Sequence, residues 1–177
     1  VAAGAGGHAG TLHPIPLINE VKKVFDKKIV LSGCLSTGRD IASAIQMGAD
    51  MAYMGTRFIN VQESMAEEEY KKMIMESGAE DIVYTAAVSG VNANFLRPSL
   101  EAMGITEERW RENKKIDFGT ELDALSEEAK AWKTIWSAGQ GVTSIKDNIR
   151  ISDLIGKLKS EFLHAIRSQQ ELLKVYK

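Results

Sequence analysis

Residues 27–58 read KKIVLSGCLSTGRDIASAIQMGADMAYMGTRF, and two short apolar runs separated by one helix-length segment decide the fold class. Ile29, Val30 and Leu31 are β-formers stopped by Gly33, so residues 29–32 are expected as a strand. A Gly-bearing loop follows over residues 33–38. Within it Thr37 and Asp40 stand at capping-box spacing and open a helix that Gly48 closes. Residues 51–54 give the next strand. Strand starts less than about thirty residues apart, with a helix between, are the repeat of a parallel sheet in a barrel or a doubly wound fold.

The same alternation runs upstream. Residues 1–3 read as the end of a strand, and the chain opens at Val1 with no initiator Met, so the preceding part is expected to lie outside this chain. After the glycine-rich residues 4–10, Ile15, Leu17, Ile18, Val21, Val24 and Phe25 recur at helical spacing, which predicts an amphipathic helix over residues 14–25 opened by prolines. Downstream of Phe58 the pattern turns helical. Ser64 and Glu67 repeat the capping-box spacing before a segment that brings Tyr70, Met73 and Ile74 together. Residues 82–88 fit a short strand or an extended arm, and residues 89–98, rich in Gly, Asn and Ser, read as a long loop. Residues 126–136 and 152–176 are expected as helices joined by Gly139-Gln140-Gly141, which suits a plain helix C-cap. In the last helix Leu154, Ile155, Leu158, Phe162, Ile166 and Leu173 form one apolar stripe.

Composition bounds the partners. With 177 residues and 44% hydrophobic content the chain can bury an ordinary core. A net charge of −2, with Lys and Arg scattered among Asp and Glu, selects neither nucleic acid nor an anionic membrane surface. No apolar run approaches the roughly 18 residues of a spanning helix. The single cysteine, Cys34, forms no internal disulfide, and no Cys/His cluster has metal-ligand spacing. No metal is expected, and a reducing, cytoplasmic location fits best.

Three loops stand where strands end, the face that holds ligands in parallel α/β folds. Gly4-Ala5-Gly6-Gly7-His8-Ala9-Gly10 lets the main chain approach a flat or charged ligand, with the His8 imidazole beside it; a tight turn with a solvent-facing His weighs equally. Residues 32–39 and 54–58 offer main-chain N–H groups with hydroxyls nearby, and both precede helix N-termini whose partial positive charge favours a phosphate. Two such loops one βα unit apart fit a single phosphate site. Cys34 is read as a small apolar filler, Arg39 as an exposed first-turn residue, His13 and His164 as structural or surface residues, and Trp132 with Trp136 as one core-facing helix stripe.

Taken in order, GAGGHAG, LSGCLSTGRD, QMGAD, YMGTRF and WSAGQG resemble the nitronate monooxygenase family, formerly called 2-nitropropane dioxygenases, over essentially the whole chain. The resemblance implies the C-terminal part of a (β/α)₈ TIM barrel with a mostly helical inserted or second domain. Residues 1–62 would be the last βα units, 63–125 an insert covering the active site and 126–177 C-terminal helices, with residues 89–98 and the Gly139-Gln140-Gly141 turn helping to cover the flavin; the N-terminal barrel half is missing from this chain. It implies FMN as cofactor, bound by Gly6, Gly7, Gly33, Tyr53, Met54, Gly55 and Thr56, and His8 as the catalytic residue. The activity implied is oxidation of alkyl nitronates with O₂ to carbonyl compounds and nitrite. The alternatives are a flavin-dependent enoyl-thioester reductase and a non-catalytic module for a phosphate-bearing ligand. Family members often carry Glu where Gly4 stands and Gly or Ala where Cys34 stands, so the surroundings of His8 differ here.

Overall fold

The structure, a computed structural model, describes residues 1–111 and 135–176. Its first part is the βα unit expected from residues 27–58. Strand β2 (Val30–Ser32) pairs parallel with β3 (Met51–Tyr53), Val30 opposite Met51 and Ser32 opposite Tyr53. Between them runs α2 (Gly38–Gln46), whose capping box forms in full: the Thr37 hydroxyl accepts from the Asp40 amide at 3.1 Å, and the Asp40 carboxylate accepts from Thr37 at 2.8 Å. Gly48, at φ +105, ends the segment. Upstream, α1 (Pro14–Val24) starts on its prolines, with the His13 side chain accepting from the Ile15 amide. Leu31 packs with Ile18, Ile29, Leu35, Ala44 and Ala49 beneath the sheet.

The opposite face of the β2–β3 pair is open. Val30, Met51 and Tyr53, which register and alternation place together, are 50%, 53% and 63% exposed. Residues 1–3 contribute one bond to this sheet, from the Ala2 amide to the Ser32 carbonyl at 2.8 Å, and do not form the expected strand. Strand β1 lies later, at Gly7–His8.

Beyond α3 (Thr56–Ile59) and α4 (Glu68–Glu76), a second sheet has the order β1–β5–β4, all antiparallel, with β4 at Ile82–Thr85 and β5 at Ala93–Leu96. Residues 89–98 are therefore not one long loop. All four β5 residues are buried, because Leu96 joins the cluster of Ile74, Ala138 and Val142 on one side while Ala93 and Phe95 join Leu100, Ile105 and Ile135 on the other. A central strand covered on both faces shows no polar alternation to read.

The second capping box is also corrected. Ser64 accepts from the Ala66 amide in a local turn, and α4 begins only at Glu68 with no side-chain cap. Tyr70, Met73 and Ile74 do share one cluster, as expected. Of the helix expected over residues 126–136, all but the last two residues lie outside the described residues, as does Trp132. Ile135 and Trp136 are not helical; Trp136 receives the Leu96 amide on its carbonyl at 2.9 Å and stacks on Tyr70 with ring centroids 5.1 Å apart. After α5 (Arg97–Ala102) and α6 (Glu107–Trp110), the final helix α7 (Ile151–Val175) lies across α2. A side chain at Gly38 would overlap the Leu158 carbonyl, so glycine there is what lets α2 and α7 meet. Leu154 and Leu158 of the stripe are buried, while Leu173 is 63% exposed.

The Asp40 carboxylate also accepts from the Ser36 amide at 2.8 Å, so it satisfies two main-chain donors ahead of α2. Asp40→Ala is expected to cost about 1–2 kcal/mol, read as a lower urea midpoint with unchanged slope; an unaltered midpoint would mean that the two amides find water without penalty.

Candidate functional site

The open ends of β2 and β3, the turn ahead of β1 and residues 137–141 enclose a cleft of about 290 Å³. It is at the small end of the roughly 300–1,000 Å³ of ligand pockets, so it suits one end of a cofactor-sized molecule. Gly6, His8, Gly33, Tyr53, Gly55 and Thr56 all line it. Gly7 and Met54 do not. Gly7, at φ +70, lies in β1 beside His8. Alternation along β3 sends Tyr53 to the cleft and Met54 to the other side, where it packs with Ile41, Phe58 and Leu158.

The local chemistry is that of main-chain and hydroxyl donors. Gly33 stands at φ +120, and Cys34 at φ 61 is the one non-glycine residue at positive φ among the described residues. A Cβ on Gly55 would meet nothing within 4 Å, so its main chain faces open space. The Thr56 hydroxyl accepts from the Gly139 amide at 3.0 Å, which leaves its own proton to donate. The Ser36 hydroxyl is buried with no partner. These groups fit the terminal phosphate of a cofactor, whose oxygens accept what the loops donate. Among the described residues no Lys or Arg lines the cleft. Arg57 turns away to Asp147 and the Asn60 carbonyl, and Arg39 is exposed on α2.

One expectation changes. The start of α2 is not open to an anion, because the Ser36 and Thr37 amides donate to Asp40 and the Gly38 amide to Glu161 of α7 at 2.7 Å. A phosphate there would displace a carboxylate of its own sign. The donors left are the main-chain ones of residues 33–35 and 55–56 and the Ser36 and Thr56 hydroxyls.

The family resemblance gives the Gly139-Gln140-Gly141 turn a part in covering the flavin, and Gly139 and Gly141 line the cleft; Ser137, which lines it beside them, was missed by sequence reasoning. Gly139 opens a 3₁₀ turn (Gln140–Ser144) and does not close a helix. Its main chain lies against the first glycine loop: the Gln140 amide donates to the Gly4 carbonyl at 2.8 Å, and a Cβ on Gly6 would stand 2.9 Å from the Gly139 nitrogen. The signal for the turn was a second glycine pair together with the resemblance, and nothing in the spacing itself says that two tracts so far apart touch. Tyr70, its hydroxyl donating to the Ser137 carbonyl, secures this segment from behind; burial pushes its pKa up to about 12, so it stays a donor. The Cys34 thiol donates to the Ala3 carbonyl at 3.2 Å. Burial, and after it the Asp40 carboxylate, push its pKa up, so it remains a thiol and fills space, as expected.

The family model for nitronate monooxygenase matches residues 2–161. A nitronate monooxygenase of Paraburkholderia phytofirmans is 26% identical over 184 residues, covering 94% of this chain and 49% of that protein. FabK from Thermotoga maritima shares the fold with a TM-score of 0.73 at 22% identity, covering 95% of this chain and 54% of that one. Nitroalkane oxidase from Streptomyces ansochromogenes does so with a TM-score of 0.69 at 23% identity, covering 94% and 51%. The chain spans about half the length of the curated relatives it matches. No helix among the described residues is long and apolar enough to cross a membrane. Since a single family model accounts for most of its length, the chain belongs to the nitronate monooxygenase family.

Proposed function

We propose that the complete protein is an FMN-dependent oxidoreductase that turns alkyl nitronates, with O₂ as acceptor, into carbonyl compounds and nitrite, and that this chain is the C-terminal part of its (β/α)₈ barrel. The observation that carries the reading is one cleft holding both His8 and the main-chain donors at the ends of two adjacent parallel strands. Bound FMN supplies electron transfer between nitronate and O₂. The chain supplies the rest. Gly33, Gly55 and Thr56, with the main chain of Tyr53 and Met54, hold the phosphate; Gly6 and Gly7 keep the backbone clear of the ring. His8 takes the proton from the α-carbon of a neutral nitroalkane or donates a hydrogen bond to the nitro group.

The open face of Val30, Met51 and Tyr53 is then the barrel interior, covered by the strands of the other half, and the insert that begins at residue 63 lies over the site. The complete protein is expected to purify with about one FMN per chain, identified after release by denaturation. Recovery of FAD would refute the single-phosphate site. Absence of flavin would turn the reading to a non-catalytic phosphate-binding module, and NAD(P)H-driven reduction of an enoyl thioester without nitrite formation would turn it to a reductase.

A further inference from the structure

The loop that carries His8 has no strong local reason to hold one shape. Residues 4–7 include three glycines, two of them, Gly4 and Gly7, at positive φ, and glycine loops lose more entropy on ordering than any other. What orders this one comes from the second sheet. In β5, directly opposite Gly7, stands Asn94, and opposite Asn94 in β4 stands Tyr84. Residues directly opposite in antiparallel strands project to the same face. Both use this. The Asn94 carboxamide, 3% exposed, donates to the Ala5 carbonyl at 2.6 Å, and the Tyr84 hydroxyl donates to the Ala9 carbonyl at 3.2 Å. Ala5 and Ala9 bracket His8, so the two side chains tie down the loop on either side of the imidazole. The pairing of His8 with Ala93 in the same ladder fixes the strand itself.

We infer that Asn94 is a positioning residue for His8, with Tyr84 as its weaker counterpart, so that the second sheet sets the alignment of the imidazole in the cleft. The inference rests on His8 acting as the proposed catalytic group. A buried amide donor on a buried carbonyl is a strong constraint, because removing it leaves that carbonyl without a partner. Misplacing a catalytic group by about 1 Å is enough to cost about 10²-fold in rate. Asn94 does not itself line the cleft and reaches it only through the Ala5 carbonyl, on the wall that carries His8 and away from Gly33, Gly55 and Thr56, so its loss is expected in kcat with cofactor binding intact.

A double-mutant cycle in the complete protein tests this, with a nitroalkane and its preformed nitronate as substrates. Asn94→Ala is expected to lower kcat on the neutral nitroalkane by roughly 10–100-fold, with KM within about threefold and the visible flavin spectrum retained. In a His8→Asn background the same change is expected to cost less than about twofold, because groups that act through one another are not additive. An equal loss in both backgrounds would overturn the inference and make Asn94 a merely structural residue. If His8→Asn itself leaves turnover unchanged, the proposed role of His8 fails, and the inference fails with it. Should Asn94→Ala not fold, Tyr84→Phe removes only a half-exposed hydroxyl. It is expected to lower kcat severalfold in the parent and not in the His8→Asn background; no loss in the parent would equally count against the inference.

Discussion

His8→Asn in the complete protein is expected to leave flavin bound and to slow turnover of a neutral nitroalkane by roughly 10²–10⁴-fold, the usual contribution of a positioned acid–base group. The physical reason is the division of labour within the cleft. The donors suited to a phosphate are main-chain amides of residues 33–35 and 55–56 and the Thr56 hydroxyl, none of which needs the imidazole. His8 stands on the other wall, in β1, and is the one His of the cleft. Asn keeps a polar group of similar reach but does not take up a proton. The loss is therefore expected to be largest for the neutral substrate, which has to give up a proton from carbon, and smaller for a preformed nitronate. Steady-state nitrite release with the two substrate forms, alongside the flavin absorbance of the purified variant, measures both parts. Equal rates for parent and variant on both forms would reduce His8 to a loop residue.

The largest expected stability effect lies beneath the loop that follows β3. Arg57 follows Thr56 directly, yet its side chain is only 3% exposed and pairs with the Asp147 carboxylate. It also donates to the main-chain carbonyls of Asn60 at 3.4 Å and Asp147 at 3.3 Å, while the Asn60 amide donates to the same Asp147 carbonyl at 2.7 Å. Lys157 of α7 reaches the second carboxylate oxygen at 2.6 Å. One buried cation thus joins three stretches of chain, α3, the turn before α7 and α7 itself. Asp147 is 32% exposed and keeps Lys157, so the loss falls mainly on the two main-chain carbonyls left without the buried donor, and Arg57→Met is expected to cost about 1–3 kcal/mol, seen as a fall in the urea midpoint of the complete protein.

The same network predicts an acid sensitivity. Burial raises the Asp147 pKa, but Lys157 and Arg57 together outweigh it and hold the carboxyl below the usual carboxylate value. A depressed folded-state pKa contributes stability that is present above the unfolded value of about 3.9 and is lost as pH falls through the lower folded one. Arg57→Met should flatten that acid limb. A variant within about 1 kcal/mol of the parent at neutral pH would show that the pair merely breaks even against an apolar side chain.

What was legible from residues alone follows from how local each signal is. The β2–α2–β3 unit was readable because apolar runs, the Thr37–Asp40 box and Gly48 are all encoded within a few residues of the structure they produce. The glycines and hydroxyls of the cleft were readable for the same reason, since strand ends are marked by their own loops. The Ser64–Glu67 spacing misled because two residues at the right separation do not by themselves fix where a helix begins. Ser64 found a nearer donor in Ala66.

Strand β5 was unreadable as a strand. Its burial comes from partners on both faces, and the polar-looking Asn94 is inside because the Ala5 carbonyl needs a donor there. No window of sequence contains that carbonyl. Likewise, Glu161 caps α2 from 123 positions away, which closed a helix start that looked open to anions. The sequence by itself determined the parallel βα unit, the glycine-rich strand ends and the family resemblance, because each is written in contiguous residues. Only the tertiary structure decided which donors remain free, which glycine tracts touch and what holds the His8 loop, because every one of those depends on hydrogen bonds and close approaches between segments that the chain brings together only on folding.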